Sequence, residues 1–448
     1  MTRRTHQASS ILALMVLLVA TGTTAQNWPQ FRGEFARGIA NDQDLPTNWD
    51  VESGENIRWA ADIPGMGHSS PIIWMDRIFL TTAVADKPPE LVLGDDGGID
   101  LVTDETQHSW RLYCLDKSSG EILWFKEAFE GRPSAKRHVK ASQTNSTPVT
   151  DGRFVAAIFG AEGLVVSDME GTELWRKDLG VLDPGLFGDV SSQWGYSSSP
   201  VILDDRLIVQ VDRHTDSFVA AYDLPTGDQV WKVERDEKPI WASPTLHITP
   251  ERSQVVVAGG DFDRGLDPES GRELWRFARD YEVKTTTPLV EGDLIVLSGG
   301  YRGKPLFAIR TGATGDVSLA EGQTSNDGVA WVSEPGGPYT STPIIIGDVL
   351  YFVRNTGILT ALELHTGELV FRHRLSGNFS ASPVASDGKI YFASEEGVIS
   401  VVAAKREPEI LGANDMGEPC MASPIISANT LFVRTSSRLY AIAKSNES

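Results

Sequence analysis

The densest group of residues able to do chemistry is Arg132, Lys136, Arg137, His138 and Lys140, a run of cations and one imidazole shortly before Pro148. Such a run could hold a multiply charged anion, although charge runs more often stay a solvated loop. A second set is scattered: His68, Asn145, Trp194, Tyr196, Trp241, Lys284, Tyr339 and Phe379 each stand a few residues ahead of a proline. Brought together, these polar and aromatic groups would form a small-ligand or peptide pocket; kept apart, their rings would pack on neighbouring sheets. The candidate ligand-binding residues are therefore Arg137, His138, Lys140, Asn145, Trp194, Tyr196, Trp241, Lys284 and Tyr339. Oxygen ligands for calcium occur in the loop 86–108, at Asp95, Asp96, Asp100, Asp104 and Glu105, and again at Asp261 and Asp263. Their spacing is not that of an EF-hand, hydrated surface carboxylates are the expected state, and no metal site is predicted. No phosphate loop, zinc helix of the H-E-x-x-H type or G-x-S-x-G elbow occurs, His138 has no identifiable catalytic partner, and no catalytic residue is assigned.

The elements that must position these residues repeat. A small hydroxyl or alanine pair, a proline, an apolar run, a turn and a second apolar run recur at Pro71, Pro148, Pro200, Pro244, Pro288, Pro343, Pro383 and Pro424. The spacings of 77, 52, 44, 44, 55, 40 and 41 residues are those of propeller blades with extra length in loops. Turns such as Asp151-Gly152 and Asp387-Gly388 join the first strand of a unit to the second. The second half of a unit carries an acidic residue, Thr/Ser-Gly and then Trp, as in Asp116, Gly120 and Trp124, or Asp267, Ser270, Gly271 and Trp275. The carboxylate can accept from turn amides, the glycine can take an unusual backbone conformation, and the indole can fill the gap between sheets. Unit six replaces the Trp with Phe371, unit seven lacks the turn signature around Val401 to Leu411, and unit five delays its ring to Trp331.

The last unit stops after Leu439-Tyr440-Ala441-Ile442, one strand short. Glu55-Asn56-Ile57-Arg58-Trp59 reads like Gly120-Glu121-Ile122-Leu123-Trp124, so an N-terminal strand is expected to complete it and close the ring, hiding the sheet edges. The predicted fold is all-β: an eight-bladed propeller of four-stranded antiparallel blades over residues 55–443, preceded by an extension at 26–54 and followed by a tail at 444–448.

The repeat resembles the PQQ-like propeller family, named for the pyrroloquinoline quinone dehydrogenases. Its tryptophan-docking motif, A-x-D-x-x-T-G-x-x-x-W, is matched in full by Ala221, Asp223, Thr226, Gly227 and Trp231. The segment Asn27 to Gly33 also resembles the opening of exported bacterial members that have no assigned catalysis. The resemblance implies one of two activities: quinone-dependent oxidation of sugars or alcohols, or cofactor-free binding of proteins, as in the propeller subunit of the outer-membrane barrel assembly machinery. The fold does not separate them. The adjacent cysteines that cover the quinone in alcohol-oxidising members are absent, since only Cys114 and Cys420 occur, although sugar-oxidising members can lack them.

Arg3 and Arg4, the apolar run Ile11 to Ala20 and the small residues up to Ala25 predict a signal peptide over 1–25, too short in its apolar part to span a bilayer. Its removal takes the formal charge from -21 to -23, which disfavours nucleic acid and anionic membrane surfaces as general partners. The expectation is a periplasmic or secreted monomer, without a transmembrane segment in the mature chain. It would act as a non-catalytic scaffold binding an envelope protein, peptide or glycan, with no resident cofactor. The alternative is a dehydrogenase that holds PQQ and calcium with the basic cluster and the axial aromatic residues.

Overall fold

Each signature proline stands just before an inner strand, where its missing N–H costs no ladder bond and where it holds the preceding residue in an extended conformation. In a computed structural model of the chain, eight such starts generate eight four-stranded antiparallel sheets arranged as a propeller. The structure describes residues 27–87, 89–94, 98–279, 283–301, 305–333 and 336–445. The expected signal segment and Asp95, Asp96 and Gly97 of the acidic loop lie outside the described residues.

Blade 1 runs from its innermost strand Ile72–Trp74 through Arg77–Ala85 and His108–Asp116 to the outermost Ile122–Gly131, and blades 2 to 7 repeat that order. Blade 8 takes Ile425–Ser427, Thr430–Arg434 and Arg438–Ile442 from the C-terminal end and Ile57–Asp62 from the N-terminal end. In that closing pair Trp59 lies opposite Ala441 and Asp62 opposite Arg438, the expected closure. Blade 4 departs from the four-strand rule. The insertion that delays Trp331 sends Gly315–Asp316 back to pair in parallel with Glu273–Ala278 as a fifth strand.

At four of the eight seams an acidic turn ties a blade to the one before it. In blade 3, Asp223 Oδ1 accepts from the Thr226 amide at 3.0 Å and its hydroxyl at 2.8 Å, and Gly227 follows at φ +76°. The indole of Trp175, in blade 2, covers that glycine and donates to Leu224 O at 2.8 Å. The same contact is made by Trp59 on Lys117 O, Trp231 on Pro268 O and Trp331 on Leu364 O. A Cβ on Gly227 would stand 2.7 Å from the Trp175 ring, on a backbone conformation that disfavours any side chain. Gly227→Ala is therefore expected to lower stability by about 2 kcal/mol, read as a shifted midpoint in urea denaturation with the slope unchanged.

Blade 7 has no such tryptophan. Gly412 occupies the position opposite Val401, and a Cβ there would meet Thr47 O at 2.2 Å, because the N-terminal extension runs across this face. Trp49 of the extension fills the gap instead, stacking near Tyr391 with centroids 6.5 Å apart. The two cysteines, Cys114 and Cys420, are free and buried in separate core clusters.

Candidate functional site

The innermost strands surround a central channel, and the first part of the extension closes one end of it. Trp28 exchanges two backbone bonds of 2.8 Å with Ile73 in blade 1, Pro29 O accepts from Thr150 in blade 2, and Gly38 and Ala40 bind Ala385 in blade 7. Between them Arg32 is fully buried, donating to Pro343 O at 2.7 Å, Pro383 O at 2.9 Å, Ala36 O at 3.0 Å and Arg37 O at 3.2 Å. Burial without a carboxylate pulls its guanidinium down to about 9. What remains of the channel is a blind cavity of about 680 Å³, with Phe31 among its lining residues.

The lining follows a strict parity. The residue before each signature proline faces the cavity in all eight blades: Ser70, Thr147, Ser199, Ser243, Thr287, Thr342, Ser382 and Ser423. At six of the eight junctions this hydroxyl accepts the backbone N–H of its counterpart in the preceding blade, at 2.8 to 3.1 Å, so the ring is also a latch between blades. Two residues earlier the same alternation brings in His68, Asn145, Ser197, Trp241, Thr285, Thr340, Ser380 and Met421. A constant ring of hydroxyls thus lies beneath a ring of varied chemistry, as the two-residue period of extended chain dictates.

Parity also sorts the sequence candidates. His138, Lys140, Asn145, Trp194, Trp241 and Tyr339 line the cavity. Tyr196 and Lys284, four residues before their prolines, turn away from it. Tyr196 buries its ring and donates to Gln210 O at 2.6 Å, while Lys284 is enclosed by Asp263 Oδ1 at 2.5 Å and Gly259 O at 2.6 Å. Burial, with the nearby Arg279, pushes the Lys284 ammonium well below its ordinary range. Phe379 is fully buried in the core between blades 6 and 7. Tyr339 shares the four-residue offset but faces inward, pairing with Tyr301 at 5.2 Å, and burial lifts its phenol to about 12.

The basic run does not assemble into a cationic pocket. Arg137 sits behind the wall, bound to Asp104 at 2.7 Å and to Ala141 O at 2.8 Å. Asp104 belongs to the blade 1 insertion, which folds over the cavity and pairs Leu101 and Val102 with His138 and Arg137. Lys140 reaches across to blade 7, where Glu395 accepts it at 2.6 Å together with the Ser380 hydroxyl at 2.5 Å and the Gly94 amide at 2.7 Å. His138 stands edge-on to Trp194 at 5.7 Å, and Trp194 stacks on Trp241 at 5.7 Å and 25°. Burial lowers the His138 imidazole, and burial with the Arg434 and Arg137 charges lowers His68 to about 3, so both are neutral at neutral pH. Glu395, Phe31, Tyr301 and the hydroxyl ring escaped sequence reading. The ring had a signal, the hydroxyl before every signature proline, but only closure turns a repeated strand start into a converging belt.

The fold and its repeat have known counterparts. Over 264 residues the chain is 23% identical to the outer membrane protein assembly factor BamB of Shewanella oneidensis, a stretch covering 48% of this chain and 66% of that protein. It spans less than two thirds of the length of the curated relatives it matches. The BamB structure from Moraxella catarrhalis superposes with a TM-score of 0.57 at 14% identity, covering 87% of this chain and 99% of that one. A europium-containing methanol dehydrogenase superposes with a TM-score of 0.67 at 11% identity, covering 93% and 98%. These two likenesses, at such identities, concern the fold alone. Matched by the family profile over residues 108–373 and 215–448, more than half of its length, the chain belongs to the PQQ-like repeat family described as outer membrane protein assembly factor BamB.

Proposed function

We propose that this chain is an exported, non-catalytic propeller of the cell envelope that presents the cavity-bearing face to another envelope protein. The carrying observation is the apolar rim of that face. Phe187 and Val190, on the connection between blades 2 and 3 that also supplies Leu186 and Trp194 to the cavity, are 53% and 69% exposed, and Ile99 of the blade 1 insertion is 67% exposed. Large apolar side chains grouped around a concave mouth mark protein contact surfaces. The family's description as an assembly factor of the outer membrane supports the same class of partner. Among the described residues no helix is long and apolar enough to cross a membrane.

The quinone reading fits the residues less well. A calcium-held quinone is a multiple anion, which would call for cations facing the cavity and a set of carboxylates around the ion. Lys140 is already matched by Glu395, Arg137 by Asp104, and among the described residues no cluster of three or more His, Cys, Asp or Glu could hold a metal ion.

The test is capture of the detergent-purified outer-membrane barrel assembly complex of the source cell by the immobilised mature chain. The wild-type chain is expected to retain it, and Phe187→Asp with Val190→Asp is expected to weaken retention roughly tenfold or more while leaving the melting temperature unchanged. Equal retention by the double variant, or dye-linked sugar oxidation restored by quinone and calcium, would overturn the reading.

A further inference from the structure

The cavity wall holds polar atoms that have no hydrogen-bond partner among the described residues. Thr287 is only 3% exposed, lines the cavity, and its Oγ1 has no hydrogen-bond partner among the described residues. Two other lining residues, His68 and Trp194, have buried ring nitrogens, Nε2 and Nε1, in the same condition. The ring hydroxyls that accept an N–H from the preceding blade belong to Thr147, Ser199, Ser243, Thr342, Ser382 and Ser423. None of these donates its own proton to a protein group among the described residues, which leaves a belt of donors aimed at the axis. Buried polar groups are nearly always paired, so orphans converging on one cavity call for an occupant with matching groups.

Two further properties define that occupant. The wall carries no net charge to offer: Lys140 is matched by Glu395, the two imidazoles are neutral, and Arg32 behind the floor directs its N–H groups to carbonyls. The whole chain is strongly acidic, which adds a general repulsion of anions. The wall is also two-sided in character. An aromatic sector of Trp194, Trp241, Tyr301 and Tyr339 adjoins the hydroxyl belt, so one part suits flat apolar C–H faces and the other a rim of hydroxyl groups. The volume of about 680 Å³ lies within the ordinary range for a small-molecule site.

We infer that the axial cavity is a binding site for a neutral, multiply hydroxylated ligand, a short glycan or glycan end, held by the serine and threonine belt against the Trp194 sector. This site adjoins the apolar rim, with Ile99 common to both, but does not include Phe187 or Val190 and does not depend on the protein-binding reading above.

The experiment titrates the mature chain with neutral trisaccharides of glucose and of N-acetylglucosamine, with trigalacturonate and with a neutral tripeptide, followed by indole fluorescence and calorimetry. At least one neutral trisaccharide is expected to bind saturably in the millimolar range or tighter. Thr287→Val, which keeps the shape and removes the hydroxyl, is expected to weaken it roughly three- to tenfold at an unchanged melting temperature, and Trp194→Ala roughly tenfold. The Phe187 and Val190 rim variant is expected to bind sugar as the wild type does, which separates failure here from failure of the rim. The inference is overturned if no neutral sugar binds at millimolar concentration, if trigalacturonate or the tripeptide binds more tightly, or if Thr287→Val leaves the affinity unchanged.

Discussion

Arg32→Ala is expected to lower the stability of the mature chain by about 3 kcal/mol or more and to open the cavity from its closed end. Arg32 is the bolt of the floor. Its guanidinium joins carbonyls on blades 6 and 7 to two carbonyls of the extension itself, all at 2.7 to 3.2 Å. Hydrogen bonds from a charged donor are worth more than neutral ones, and alanine would leave the carbonyls of Pro343 and Pro383 buried without a partner in the space the side chain vacates. Neighbouring Phe31 loses its support and the extension frays. Amide hydrogen exchange is the sharper measurement, because it separates local opening from global unfolding. Faster exchange is expected at Trp28, Ala40 and Ala385, whose amides pair the extension with the ring. Unchanged exchange there would mean that the segment is held without Arg32.

Asp263→Ala is expected to cost about 3 to 5 kcal/mol, the largest single-residue effect in the ring. Asp263 is fully buried in blade 4 between two cations, Lys284 at 2.5 Å and Arg279, whose side chains are almost as enclosed. Its Oδ1 also accepts the Gly259 amide at 3.1 Å. Removing the carboxylate takes a buried counter-charge from both cations, and the penalty lies in charge left uncompensated in the interior more than in the lost attraction. The double variant Asp263→Ala with Lys284→Met is therefore expected to recover part of the loss. A double-mutant cycle in urea measures that recovery; strict additivity of the two changes would show that the ammonium does not depend on this carboxylate.

The architecture was legible because it is made of local chemistry repeated. A proline after a hydroxyl starts an inner strand, Asp-x-x-Thr-Gly bends the outer hairpin, and Trp231 or Trp175 marks the seam between blades. Each rule acts within about a dozen residues, so eight copies reinforce one another. The resemblance of the Trp59 segment to the Trp124 segment carried the closure as well, since an orphan strand and a sheet lacking one have a single mutual solution. The cavity was half legible. His68, Asn145 and Trp241 share an offset from their prolines that points inward, whereas Tyr196 and Lys284 stand one residue earlier and point into the blades. One residue of register reverses the face, and composition does not reveal it.

Arg137 shows the other limit. Its charge stands in a conspicuous run, yet its partner Asp104 lies 33 residues upstream in an insertion that belongs to no repeat. A lone cation and a paired one look the same until the insertion is folded back.

The amino-acid sequence alone determined the number of blades, their strand order, the seam residues and the way the ring closes, because periodic chemistry dictates periodic structure. Only the tertiary structure decided what residues 27–49 do. They seal the channel with Arg32 against two carbonyls more than 300 positions away, and they lay Trp49 where blade 7 has Gly412 instead of a ring. Those contacts occur once, join non-repeating residues to backbone groups that every blade possesses, and have no spacing that could announce them before the circle is complete.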